Sequence, residues 1–368
     1  MRLASYNVEN LFMRARALNG KTWADGKNIL KACADINLTL GKDVYTQADK
    51  TKIITLLKAL GLAKSDESKF AILRQNRGHL VKRGKNGKIE IVATGRNDWI
   101  GWVELAREEV NETATRNTAQ VIRDLKADVL GLVEAESRPA LVRFSAYVLP
   151  SVNVTGYEHI MLIDGNDERG IDVGIMTRRD YDIVSICSHV DDQDGKGFIF
   201  SRDCAQYEIR TKNGNTLIVL VNHLKSKGYG IAAQSDAKRK RQATRTAEIY
   251  ASVLQKHEYV AVIGDMNDTP DSDPLSPLIK HTNLKEVATL QGFDDQGRPG
   301  TYKNGTASNK IDFILLSPAL FAKATAGGIN RKGVWGGKNG DLFEHYPEIK
   351  RESEAASDHG AIWVDLDI

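Results

Sequence analysis

The sequence predicts an α/β protein with a layered core, and three observations carry that expectation. Short β-branched apolar runs recur at Asp128–Val133, Ile171–Met176, Leu217–Val221, Val260–Ile263, Ile311–Leu316 and Ala361–Leu366. They have the length and composition of buried strands, and helical or loop segments separate them, as in layered α/β folds. The composition, 41% hydrophobic and 27% charged over 368 residues, is that of a globular chain.

The elements follow in order along the chain. MRLASYNVENLF alternates like a strand. Helices are expected at Asp49–Leu60, over part of Val103–Lys126, and at Asp236–Gln255, where Ala243, Ala247, Tyr250 and Leu254 form an apolar stripe. Residues 13–112 read differently from the rest. They hold one helix and two alternating segments, Phe70–Lys82 and Lys88–Trp102, joined by the turn-like Gly84–Gly87, the pattern of a hairpin. The stretch is expected to be an insertion or a small lobe of a single 1–368 domain.

Other classes are excluded on composition. No apolar run approaches the ~20 residues that a bilayer span needs. The first segment lacks the basic head, apolar stretch and small-residue cleavage site of a signal peptide, so a cytoplasmic protein is expected. Three scattered cysteines, Cys33, Cys187 and Cys204, make neither a disulfide framework nor a CxxC metal site. With a net charge of only +3, affinity for a polyanion has to come from local patches. The cation-rich stretch Lys225–Arg245 is one such patch, and the cations between Arg74 and Lys88 are another.

Polar residues cluster where the strands end, which is where a rigid element meets an accessible loop. Asn7 and Glu9 sit in SYNVEN, and Glu134 and Glu136 follow DVLGLV. Asn222 and His223 follow LIVLV, and Asp265, Asn267 and Asp268 follow VAVIG. Asp312 opens IDFILL, and Asp358 with His359 precede AIWVDL. Taken singly, each is a turn former, a helix cap or a structural histidine. Together they form a carboxylate-rich set with two histidines and no cysteine, which suits Mg²⁺ or Mn²⁺ rather than zinc.

The segments YNVEN, GLVE, NHLKS, GDMND, KIDFIL and SDHGAI, in that order, resemble the signature segments of the endonuclease/exonuclease/phosphatase superfamily, the deoxyribonuclease I-like fold. The resemblance runs from residue 3 to residue 366 apart from the 13–112 stretch, and its wording is nearest the bacterial nuclease-like members. It implies a four-layer α/β/β/α sandwich with two central mixed sheets and a cleft at one rim. It also implies metal-dependent hydrolysis of a phosphate ester. By resemblance, Asn7, Glu9, Glu134 and Asp358 match the metal-holding positions. Asp265 matches the residue that orients or deprotonates the attacking water, with Asn267 donating to the phosphate. His359 matches the group that contacts the scissile phosphate, and Asp312 matches its partner, a carboxylate that raises the imidazole pKa and fixes its tautomer.

His223 resembles the second histidine of the deoxyribonuclease-like branches. Its carboxylate partner is left open among Asp164, Asp167 and Glu168. Arg169, as a planar fork, together with Asn222 and Lys225, is expected to bind phosphate or nucleic acid. Two departures from the pattern stand out: Val133 occupies a position where many relatives have Gln, and the 13–112 stretch is inserted between two metal-binding strands. Glu136 shares a face with Glu134 if the strand continues extended.

The leading expectation is a monomeric, low-specificity nuclease hydrolysing DNA, or RNA as well, with Mg²⁺ or Mn²⁺. A phosphatase or phosphodiesterase for a small molecule or lipid headgroup is the alternative, because one fold hosts many substrates. A catalytically dead scaffold is disfavoured, since every expected acidic position is filled.

Overall fold

The computed structural model describes residues 1–9, 15–18, 23–84, 88–107, 111–167, 170–227 and 231–368. They fall into two compact units, Met1–Phe12 with Val110–Ile368, and Met13–Glu109.

The larger unit is built on two six-stranded sheets. The first runs in the order Ala324–Asn330, Ala361–Leu366, Arg2–Asn7, Val129–Ala135, Asp172–Thr177, His159–Ile163. The second runs Lys285–Glu286, Asp312–Leu316, Val260–Asp265, Thr216–His223, Cys204–Arg210, Asp182–Cys187. Each sheet contains a parallel pair at its centre, Arg2–Asn7 with Val129–Ala135 and Thr216–His223 with Val260–Asp265. The remaining ladders are antiparallel, so both sheets are mixed.

Strand alternation sorts the apolar side chains into layers. Leu3, Val129, Val133 and Ile175 of the first sheet pack against Val219, Val221, Ile263 and Ile314 of the second. The intervening residues Ala4, Tyr6, Leu130 and Leu132 face outward onto Val121, Ile122 and Leu125 of the helix Glu112–Leu125. Ile218, Leu220, Val262 and Phe313 face outward onto Ala243, Tyr250 and Val253 of the helix Ala232–Leu254. The result is the α/β/β/α sandwich. All six apolar runs became strands, because each alternates between two buried faces. Val103–Leu105 joined a strand rather than a helix, and the helix that follows starts at Glu112, where the Asn111 side chain accepts from the Ala114 N–H.

The smaller unit has a core of its own. Ile36 and Leu40 of the helix Trp23–Leu40 meet Ile53 and Leu57 of the helix Gln47–Ala59, together with Leu73, Trp99 and Val103. Thr46 and Asp49 form a reciprocal capping box at the second helix. The hairpin expected across Gly84–Gly87 is split into two ribbons. Ala71–Arg77 pairs with Ile100–Leu105, and Val81–Arg83 pairs with Ile89–Ile91, with a register shift between Gln75 and Arg77. Its turn, 85–87, lies outside the described residues. No helix among the described residues is long and apolar enough to cross a membrane.

Gly264 shows how tightly the site end of the second sheet is built. Its φ is +127°, and a Cβ there would fall 1.9 Å from the Asn222 carbonyl oxygen. Both the left-handed backbone and the close approach need glycine. Gly264→Ala is expected to push the Asp265 strand off its neighbour. Thermal melting would show a large loss of stability, and a melting point within a degree or two of wild type would refute this account.

Candidate active site

Strand register alone brings the central side chains together. Asp265 is directly opposite His223 in the parallel ladder and opposite Asp312 in the antiparallel one. Residues opposite one another in a ladder point to the same face, so these three converge, and all are buried. His359 joins them from the other sheet, its Nδ1 lying 2.8 Å from Asp312 Oδ2. The Thr301 hydroxyl donates to that same Asp312 oxygen at 2.6 Å.

A single turn device ends two of the strands. The Asn7 side-chain oxygen accepts the Glu9 N–H at 3.0 Å, and the Asp265 carboxylate accepts the Asn267 N–H at 2.8 Å. These are Asx-type turns. They hold Glu9 at φ +47° and Asn267 at φ +54°. Glu134 has φ +64°, and the ladder slips there, so that Val133 faces Val173 while Ala135 faces Asp172. This is a β-bulge that re-aims a side chain. Each left-handed non-glycine residue costs about 1–3 kcal/mol. The bulge also corrects one expectation, because Glu136 does not share a strand face with Glu134: alternation breaks at Glu134 and the strand ends at Ala135.

The contacts cross from sheet to sheet. Asn7 Nδ2 donates to Asp265 Oδ2 at 3.2 Å and lies 3.5 Å from His359 Nε2. The Asp358 N–H donates to Glu9 Oε2 at 3.0 Å, and Ser357 Oγ donates to the Asn7 carbonyl at 2.7 Å. His223 Nε2 lies 3.7 Å from Asp265 Oδ2 and 3.8 Å from Glu134 Oε1. Among the candidates for its partner, Asp167 instead pairs with the buried Arg202 at 3.2 Å.

The electrostatics are those of crowded anions. Burial and the neighbouring Asp312 push Asp265 up to about 8. Desolvation and then Glu9 push Asp358 up to about 7, with Glu134 adding to the effect. Burial works against a charged His359, yet Asp312, Asp358 and Asp265 together raise it well above an ordinary histidine. His359 therefore favours its charged form, and with Asp265 and Asp312 it makes a buried group whose donor atoms lie within 4.8 Å of one another. Oxygen donors remain on Asn7, Glu9, Glu134 and Asp358, where mutual repulsion among the carboxylates is what a hard divalent cation relieves. The residues present fit such a cation.

Several residues around these strand ends escaped the sequence reading. The Tyr302 ring tilts against His359 with centroids 4.9 Å apart. Burial and the charges of Asp358, Glu9, Asp265 and Glu134 keep its hydroxyl protonated. Thr301, Ser357 and Arg202 buttress the site, and Arg202 donates to the Leu224 carbonyl that also accepts Asn267 Nδ2. None of these carried a strand-end signal except Ser357, the first residue of SDHGAI.

The phosphate-binding expectations fare differently. Asn222 turns away from the cleft, its Nδ2 donating to the Leu220 carbonyl and its Oδ1 accepting from Thr246 Oγ1. Strand alternation puts it on the face opposite His223. Lys225 is half-buried, its N–H donates to Gln242 Oε1, and its ammonium lies 3.4 Å from the Ser226 carbonyl. Arg169 lies outside the described residues. The basic helix is corrected too, because all of its cations but Lys238 are taken up by acids. Arg239, fully buried, pairs with Asp268 at 2.8 Å and with Asp236, Lys240 pairs with Asp273, Arg241 with Asp194, and Arg245 with Asp192.

A family model described as the endonuclease/exonuclease/phosphatase family matches residues 89–332, which include Glu134, His223, Asp265 and Asp312. The chain belongs to this family. Membership supports a phosphoester hydrolase, and family members generally depend on a divalent metal. Among solved structures the chain is similar to a mannosyl-6-phosphatase from Bacteroides thetaiotaomicron, at 18% identity and TM-score 0.51, over 70% of this chain and 92% of that one. It is also similar to the human Nocturnin catalytic domain with bound sulfate, at 16% and 0.49, over 70% and 87%. Truncated Caenorhabditis elegans TDP2 gives 16% and 0.48, over 70% and 92%. At these identities the likeness is one of fold. No curated protein matches the chain.

Two predictions follow from this family member's site. Arg239→Ala leaves the buried Asp268 only the half-exposed Lys227 as an ion-pair partner among the described residues and is expected to cost about 3 kcal/mol. A urea midpoint equal to wild type would count against the structural role. Asp172 is buried and pushed up to about 7, chiefly by desolvation and then by Asp164 and Asp167, although it accepts the Gly165 N–H at 2.7 Å. A folded-state pKa above the unfolded value makes ionisation destabilising. Wild type should therefore lose stability relative to Asp172→Asn as pH rises from about 4 to about 7. Parallel pH profiles of melting temperature would refute this.

Proposed function

We propose that the protein is a Mg²⁺- or Mn²⁺-dependent phosphodiesterase that hydrolyses nucleic acid, DNA in the first instance. The observation that carries this is the placement of a carboxylate with raised pKa, Asp265, beside the buried His223, Asp312 and His359, the last two with donor atoms within 4.8 Å of its own, and the charges of Glu9 and Glu134 acting on Asp358 alongside.

The divalent cation, held by Asn7, Glu9, Glu134 and Asp358, would neutralise phosphate charge. This chain's residues supply the proton transfers. Asp265, basic for a carboxylate, takes a proton from the attacking water as the water oxygen bonds to phosphorus. The ester P–O bond breaks, and the leaving oxygen takes a proton from His359 Nε2. Asp312 at Nδ1 holds the imidazole in the orientation this needs and stabilises its charge. Asn267 and His223 flank the same face and are suited to donate to phosphate oxygens.

A second reading has its own support. The larger unit, which carries the cleft, has a net charge of −5: the smaller unit has 19 Lys and Arg against 11 Asp and Glu, or +8, and the chain totals +3. With four of the five Ala232–Leu254 cations also paired, a small phosphoester is the competing substrate.

Supercoiled plasmid incubated with Mg²⁺ or Mn²⁺ and with EDTA decides between them. Metal-dependent nicking is expected, falling 10²–10⁴-fold in His359→Ala and in Asp265→Asn with folding retained. Intact plasmid alongside phosphate release from sugar or inositol phosphates would replace the first reading with the second.

A further inference from the structure

We propose that the smaller unit, Met13–Glu109, is a binding surface for single-stranded nucleic acid, formed by its two β ribbons. The inference stands apart from the hydrolysis reading, because it concerns binding without turnover.

Charge is the first observation. Residues 69–97 contain eight Lys and Arg and one acid, Glu90, so they hold nearly all of the unit's +8 excess. Soluble surfaces normally intersperse both signs, and a single-sign concentration builds a field that attracts polyanions. Acids from outside the stretch answer only part of it. Glu104 pairs with Arg74 at 2.6 Å and Asp66 with Arg83 at 2.8 Å. Lys82 and Lys88 are exposed and make no salt bridge among the described residues, and the exposed Arg77 donates only to the Asn97 carbonyl at 3.3 Å. The contrast with the Ala232–Leu254 helix is physical. There, four of the five cations lie beside acids that neutralise them, whereas here fewer do.

An exposed aromatic ring is the second observation. Trp102 is 46% exposed on the strand Ile100–Leu105, directly opposite Arg74 in the ladder. Its neighbours Gly101 and Val103 are buried, and Trp99, three residues earlier, is fully buried in the core of the unit. The packing of the unit buries Trp99 and leaves Trp102 partly exposed, opposite Arg74 and hydrogen-bonded to Glu104. An exposed flat ring on a unit with excess cations is a recognition element for unpaired bases, which stack on aromatic faces while cations follow the phosphates.

The same features choose among polyanions. Duplex DNA hides its base faces, so it gains nothing from Trp102. An anionic membrane is met by a basic amphipathic helix with a continuous apolar face, but these cations lie on short strands, with Glu104 and Arg74 beside the ring.

The test is fluorescence anisotropy of the full chain with a labelled oligo-dT strand in EDTA, across a salt series. Binding that weakens steeply with salt is expected. Arg77→Gln/Lys82→Gln/Lys88→Gln should flatten the log–log salt slope by about 2, and Trp102→Ala should weaken binding about tenfold. Lys256→Glu/Lys323→Glu on the larger unit should change neither. Circular dichroism checks that each variant is folded, and hydrolysis of bis(p-nitrophenyl) phosphate should be unaffected. Unchanged oligo-dT binding in both ribbon variants would overturn the proposal. So would duplex binding as tight as single-strand binding, or tighter binding to phosphatidylserine vesicles. Binding by a chain that cuts no nucleic acid would leave this inference standing and remove only the nuclease reading.

Discussion

Two short parallel pairings at the centre of the sheets determine where the chemistry sits. Parallel strands end on the same side. Asn7 and Glu9 therefore emerge beside Glu134, and His223 emerges beside Asp265. The antiparallel neighbour Asp312–Leu316 starts where Val260–Asp265 ends, which sets Asp312 against Asp265. Packing the two sheets face to face then superposes the two sets of strand ends. The inter-sheet core is close enough that a Cβ on Gly131 would fall 2.4 Å from Ile263 Cδ1. At that spacing Asn7 of one sheet donates to Asp265 of the other.

This convergence stores unfavourable energy. Carboxylates are desolvated next to one another, and three residues of the cleft hold a left-handed backbone. The surrounding sheets offset that cost through ordinary apolar burial on both faces of each strand. The crowding also gives the residues their chemical character. A carboxylate among carboxylates becomes a base near neutral pH, and an imidazole among carboxylates becomes a stable cation. Opposite behaviours arise from one charge distribution.

The two units distribute charge differently. The larger unit places several of its cations in internal pairs, such as Arg239–Asp268 and Arg245–Asp192, that fasten the long helix to the loops around it. The smaller unit carries its excess on ribbons too small to bring acids to every cation. Cation density alone therefore misleads: Lys225–Arg245 and 69–97 look alike as strings, and their surroundings separate them.

How much of this was legible in the chain follows from the range of the interactions. Strand identity was readable, because alternation is a local property of a few residues, and so were the positions Asn7, Glu9, Glu134, Asp265 and Asp358 at the strand ends. The bulge at Glu134 was not, since it depends on the register against Asp172–Thr177, some forty residues away. Asn222 and His223 are adjacent in sequence and looked equivalent, but the sheet turns them to opposite faces and the helix takes Asn222. Tyr302, Thr301 and Arg202 carried no signal, because what they do depends on partners brought from other strands. By itself, the sequence determined the layered α/β class and the oxygen-rich, two-histidine donor set, since residue types and periodicity are written locally. Only the tertiary structure decided which of those donors meet and which cations are already neutralised, because both depend on contacts between residues far apart in the chain.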